Sequence, residues 1–216
     1  MTAPRRDGAA GAWATGGPIK ATAELTRLSG FAVTLAPVDR SPTLKPWPML
    51  KDILLITIFP AAMALSAATD LFTMTVPNRI AIALVAGFVV LAPLVGLGWT
   101  ELGIHAALAA VALVLGFVMF SFGWIGGGDA KLFAATCLWL GPETMFSYGM
   151  LTALFGGALT LGLLVWRQFP LPVMLNSQGW LVRLHSPREG VPYGIALAAA
   201  GLMVYPQTPF MAALGA

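Results

Sequence analysis

The sequence predicts an all-α, polytopic membrane protein with about six transmembrane helices. Three observations lead there. First, only 10% of the 216 residues are charged and 58% are hydrophobic, with a mean hydropathy of +0.82, whereas soluble domains carry about 25% charged residues. Second, from residue 53 onward the apolar residues come in runs whose lengths approach the roughly 17–25 residues that a bilayer demands of a helix. Third, Lys and Arg fall on alternate connections between those runs, the signature of a multi-pass topology.

Residues 1–48 stand apart as a tail rich in Gly, Ala, Pro and charge, with Arg5, Arg6, Lys20, Arg27, Arg40 and Lys45. Such a composition predicts disorder, and no apolar core follows Arg5-Arg6 to make a signal peptide. The membrane domain is expected over 49–216. Its first run, 53–69, contains Pro60 and ends at Asp70. The second, 80–98, follows Val76-Pro77-Asn78, with Asn78 placed to cap the helix. The third covers 103–122. The fourth, 130–140, is short for a span and either lengthens through 141–148 or stops part-way. The fifth covers 146–166. A polar stretch with Arg183, His185, Arg188 and Glu189 separates it from the sixth, 191–205, and 210–216 is too short to cross.

The connections after the first, third and fifth runs carry Arg79, Lys131, Arg167, Arg183 and Arg188, and those after the second and fourth carry only Glu101 and Glu143. The positive-inside rule assigns the first set to the cytoplasm, and with it both Asp70 and Asp129. That orientation puts the basic tail outside, so translation is expected to begin at Met49. N-terminal sequencing of the native product decides this, and a product beginning at Met1 refutes it. The net charge of +3 follows from loop bias and calls for no nucleic-acid partner. The single cysteine, Cys137, rules out an internal disulfide or a cysteine zinc site, and no metal or cofactor motif appears. No phosphate-binding loop, HExxH or GxSxG is present, so a metal or serine hydrolase has no motif to rest on.

The chemistry concentrates at Trp-Ile-Gly-Gly-Gly-Asp-Ala-Lys-Leu, residues 124–132. An acid at the junction of apolar segments is costly and marks a functional site by default. Gly126, Gly127 and Gly128 beside it let another backbone approach. Asp70 provides a second carboxylate in a similar position. Two carboxylates around one water hydrolyse amides: one takes the proton of the water while the other, protonated, polarises the carbonyl. Like charges about 3 Å apart share a proton. Asp70 is expected at a helix C-terminus and Asp129 at a helix N-terminus. The macrodipole then casts Asp129 as base and Asp70 as proton donor. Lys131 adds positive potential or marks topology, and His105, near the opposite helix end, reads as structural.

Gly-Gly-Gly-Asp-Ala-Lys-Leu at 126–132 resembles the GxGD motif of membrane aspartyl proteases, and more closely the type IV prepilin peptidases. Asp70 followed by Val76-Pro77-Asn78 is similar to the first-acid region of that family, and Val191-Pro192-Tyr193-Gly194 to the start of its last helix. The resemblance covers roughly 49–205. It implies an aspartic endopeptidase of the bacterial inner membrane, with Asp70 and Asp129 as the catalytic pair. It would cut basic leaders from prepilins on the cytoplasmic side, in association with pilus assembly machinery and with no cofactor. The larger members of the family also methylate the new terminus and carry paired zinc-binding cysteines. This sequence lacks the cysteines and resembles the compact form of tight-adherence (Flp-type) systems, for which methylation is not expected. The rival classes are a small ion- or proton-coupled transporter, which also uses intramembrane acids and broken helices, and a non-catalytic membrane subunit.

Overall fold

The computed structural model describes residues 46–214. The expected disordered tail lies outside the described residues, except for 46–48, which open the first helix. All regular structure among the described residues is helical: α1 (Pro46–Thr73), α2 (Asn78–Val95), α3 (Trp99–Ser121), α4 (Gly127–Trp166), α5 (Gly179–His185), α6 (Tyr193–Val204) and α7 (Pro209–Ala212), with 3-10 turns at Val173–Leu175 and Tyr205–Gln207.

Four of these helices are long and apolar enough to cross a membrane. Each exposes large apolar side chains outward, among them Ile56 and Leu65 on α1, Val85 and Val89 on α2, Val114 and Phe117 on α3, and Leu154 and Leu161 on α4. Exposed apolar surface on this scale belongs against another apolar phase, and the protein is a helical membrane protein.

The 40-residue α4 contains both the fourth and fifth predicted runs. Gly141 leaves the helical region at φ 73, ψ −178, and Pro142 follows it. In a continuous helix the 15 steps from Phe133 to Tyr148 would span about 22 Å. Their rings instead stack with centroids 5.5 Å apart, so the second arm folds back on the first. The fourth run, 130–140, therefore stops part-way: even counted from the start of α4, residues 127–140 reach about 21 Å, short of the roughly 30 Å hydrocarbon core. The sixth run also falls short as a span. The helix within it, α6, has 12 residues, about 18 Å, bounded by Pro192 at its N-cap and Pro206 beyond its end. It is enclosed by α4 and α1 and buries Gly194, Ala196, Leu197, Ala198, Ala200, Gly201 and Val204.

The sharp turn in α4 creates a specific problem. Pro142 has no N–H to give the Leu138 carbonyl four residues earlier. The buried His105 of α3 supplies the missing donor, its Nδ1 standing 2.7 Å from the Leu138 oxygen. The contact fixes the tautomer, with the proton on Nδ1. His105 is thus structural, as the sequence suggested. Around it Phe59, Phe88, Trp139, Tyr205 and Phe210 form an aromatic core, in which Trp139 Nε1 donates to the Leu84 carbonyl at 2.8 Å and Tyr205 Oη to that of Leu55 at 2.9 Å.

Charge divides between the two ends of the bundle. At one end Lys131 Nζ donates to Asn78 Oδ1 (2.9 Å), Arg183 Nη2 to the Phe72 carbonyl (2.8 Å), and Arg167 to the carbonyls of Leu184 and Gly190 (both 2.9 Å). Arg183 thereby satisfies a carbonyl in the last turn of α1 that has no helical partner. At the opposite end Glu101 and Glu143 line a small cavity with His105. Lys51 also lies there, bonded to the Ala213 carbonyl at 3.0 Å.

Candidate active site

Asp70 occupies the last turn of α1 and is 4% exposed. Asp129 is the third residue of α4, in its first turn, and is partly buried. The chain brings them together through two close backbone approaches around Val76, in the loop between α1 and α2. A β-carbon at Gly128 would stand 2.9 Å from the Val76 carbonyl oxygen. One at Gly194, near the start of α6, would stand 2.8 Å from Asp70 Oδ2 and 3.0 Å from Val76 Cγ2. Only glycine lets α4 and α6 close on the loop from two sides. Val76 is thereby held between the residue preceding Asp129 and the residue bonded to Asp70.

The partners of the two acids differ. The Gly194 N–H donates to Asp70 Oδ2 at 2.7 Å. Asp129 turns Oδ2 back over Gly126, 2.9 Å from where a β-carbon there would be, and its Oδ1 is buried with no hydrogen-bond partner. Asp129 also lines a cavity of about 260 Å³ between α3, the two arms of α4 and α6, together with Phe133, Thr152 and Tyr193.

This geometry corrects the argument that divided the roles of the acids. Asp70 does lie at the C-terminal end of its own helix, but it also receives an N–H from the N-terminal turn of α6. Each carboxylate therefore faces a helix N-terminus, and the macrodipole does not separate base from proton donor.

The supporting residues also separate. Asn78 does not cap α2. Pro77 holds the N-cap position, no side-chain cap bond forms, and Asn78 is the first helical residue, its Oδ1 engaged by Lys131. Lys131 and Asn78 border a different cavity from Asp129, an apolar groove of about 610 Å³ lined by alanines of α2, α3 and α4. Lys131 ties α4 to α2 there. The three glycines are not equivalent: Gly128 receives the Val76 backbone, Gly126 faces the Asp129 carboxylate, and a β-carbon at Gly127 would first meet the Phe120 ring, at 3.4 Å.

Sequence reasoning missed the contacts of Gly194, Thr152 and Tyr148. The Pro-Tyr-Gly at 192–194 was a visible signal for the first. Thr152 and Tyr148 were visible as polar residues in an apolar run. Among the described residues no three His, Cys, Asp or Glu side chains cluster closely enough to hold a metal ion.

No curated protein and no solved structure matches the chain. Residues 57–161 match the model of the type IV leader peptidase family. That segment contains both aspartates, the Val76 loop and the glycine triplet, and over it the chain is similar to the type IV leader peptidase family.

Proposed function

We propose that the protein is a membrane aspartic endopeptidase that removes the leader peptide of prepilins, with Asp70 and Asp129 as its catalytic pair. The observation that carries this reading is the pair of close approaches to Val76, by Gly128, which precedes Asp129, and by Gly194, which is bonded to Asp70. One carboxylate accepts a proton from water as the water oxygen attacks the scissile carbonyl carbon. The other, protonated, donates to the carbonyl oxygen. The tetrahedral intermediate then collapses, the C–N bond breaks, and the leaving amine takes up a proton. Which acid carries the shared proton is a property of the pair rather than of either residue.

The active site is proposed to face the cytoplasm, because Lys131, Arg167 and Arg183 gather at its end of the bundle. The substrates are proposed to be prepilins of tight-adherence (Flp-type) pili, cut without methylation of the new terminus. A transporter reading fits less well, since transport acids sit near the bilayer midplane and these two occupy terminal helical turns at one end.

Co-expression with a small Flp-type prepilin, followed by gel mobility, tests the proposal. The wild type shortens the prepilin, and Asp70→Asn and Asp129→Asn each abolish the shift at unchanged protein level. Normal processing by either variant overturns the dyad.

A further inference from the structure

The second arm of α4 contributes an anomalous threonine to the Asp129 cavity. α4 contains four threonines, at 136, 144, 152 and 160. Three of them do what a threonine in a helix usually does, returning the hydroxyl to the carbonyl four residues earlier: Thr136 to Leu132 (2.8 Å), Thr144 to Leu140 (2.7 Å) and Thr160 to Gly156 (2.7 Å). Thr152 does not. It is 7% exposed, forms part of the cavity wall, and its Oγ1 has no partner. One turn earlier, Tyr148 is fully buried, its Oη beside the hydroxyls of Thr136 and Thr152 and so placed to orient the Thr152 hydroxyl.

Leaving a buried hydroxyl unpaired costs about 1–3 kcal/mol. Here the Thr152 hydroxyl lines the same cavity as Asp129, whose Oδ1 is also buried without a hydrogen bond, and Leu115, Ile125 and Leu197 make other walls of the cavity apolar. Such an arrangement suits an occupant that is polar along its backbone and apolar at its side chains. A peptide pulled out of its helix has those properties: its N–H and C=O groups have lost their partners and must find others away from water. A threonine hydroxyl serves either group, being both donor and acceptor.

We propose that the cavity holds the extended stretch of substrate chain beside the scissile bond, with Thr152 Oγ1 hydrogen-bonding its backbone and Tyr148 Oη, behind Thr152, as a positioning residue. The assignment rests on the leader peptidase reading above and adds the residue that grips the chain.

The test is steady-state cleavage of a small Flp-type prepilin by the full-length protein in detergent, with Thr152→Val, Thr152→Ser and Tyr148→Phe compared for kcat, KM and melting temperature. Thr152→Val keeps the shape and removes the hydroxyl. It is expected to raise KM about tenfold with kcat little changed, the mark of a lost binding contact. Its melting temperature should stay level or rise, because an unpartnered buried hydroxyl has been removed. Thr152→Ser restores the wild-type KM, and Tyr148→Phe raises KM less than Thr152→Val does. A wild-type KM in Thr152→Val overturns the proposal, as does a lowered melting temperature, which would make the hydroxyl structural. Failure of the wild type itself to cut the prepilin overturns the leader peptidase reading instead.

Discussion

The two ends of the bundle differ in what surrounds their buried polar groups. At the end away from the aspartates, the turn at Gly141-Pro142 strips the Leu138 carbonyl of its donor, and His105 reaches across from α3 to replace it. Nearby, Trp139 and Tyr205 find the carbonyls of Leu84 and Leu55. At the aspartate end, Asp129 Oδ1 and Thr152 Oγ1 remain buried without a hydrogen bond. This fold can satisfy a difficult polar group over a separation of 33 residues, as His105 and Leu138 demonstrate. A hydroxyl left without a hydrogen bond in the wall of the Asp129 cavity is therefore informative, and the proposal above gives it a partner in the substrate chain.

The sharpest way to break the comparison is to disturb each end and ask whether activity or stability responds. At the aspartate end, Gly194→Ala drives a methyl group into Asp70 Oδ2 and Val76. A displacement of about 1 Å at a catalytic group costs on the order of 100-fold in rate, so kcat/KM for prepilin cleavage is expected to fall by about that factor. Gly128→Ala, against the Val76 backbone, should behave alike, while Gly127→Ala, facing the movable Phe120 ring, should cleave at nearly the wild-type rate. Equal losses at Gly127 and Gly128 would show that the triplet acts through flexibility rather than through close approach.

At the far end the response should be one of stability. His105→Ala leaves the Leu138 carbonyl unpaired and opens space beside Phe88 and Gly141. A loss of about 2 kcal/mol is expected, read as a lower melting temperature in detergent, with the kcat of the folded fraction unchanged. A kcat loss larger than the stability loss would mean that the two ends are coupled. A smaller effect is expected at Met74, which closes α1 with φ 54, a left-handed conformation unfavourable for a side chain. Met74→Gly should stabilise by about 0.5–1 kcal/mol in thermal unfolding. The smallest is Lys131→Met, which removes an exposed bond to Asn78 and should cost about 0.5 kcal/mol with cleavage retained. Loss of cleavage there would give Lys131 a role beyond tying α4 to α2.

The parts of this architecture that were legible in the sequence are those set by local composition. The apolar runs marked the long helices, the alternating Lys and Arg marked one end, and the acids at 70 and 129 stood out because charge is rare in this chain. What was not legible depends on separations that composition does not encode. Gly194 meets Asp70 across 124 residues, and that contact undoes a dipole argument built on each acid's own helix. Asn78 looked like a cap from its place after Pro77, but Lys131, 53 residues away, takes its side-chain oxygen. The run at 191–205 had the hydropathy of a span, while the prolines at 192 and 206 shorten its helix to a buried 12 residues. Thr152 has the same residue type and helical setting as Thr136, Thr144 and Thr160, and only its unpaired hydroxyl distinguishes it.

The central claim is that Asp70 and Asp129 act as one unit, and the most direct measurement is kcat/KM for prepilin cleavage by Asp70→Asn, Asp129→Asn and the double variant. Groups that act as a unit lose nearly everything when either is removed. Each single variant is expected to fall by about 10⁴-fold and the double variant no further. Single losses that multiply in the double variant, or a single variant that keeps more than about a tenth of wild-type activity, would contradict the account.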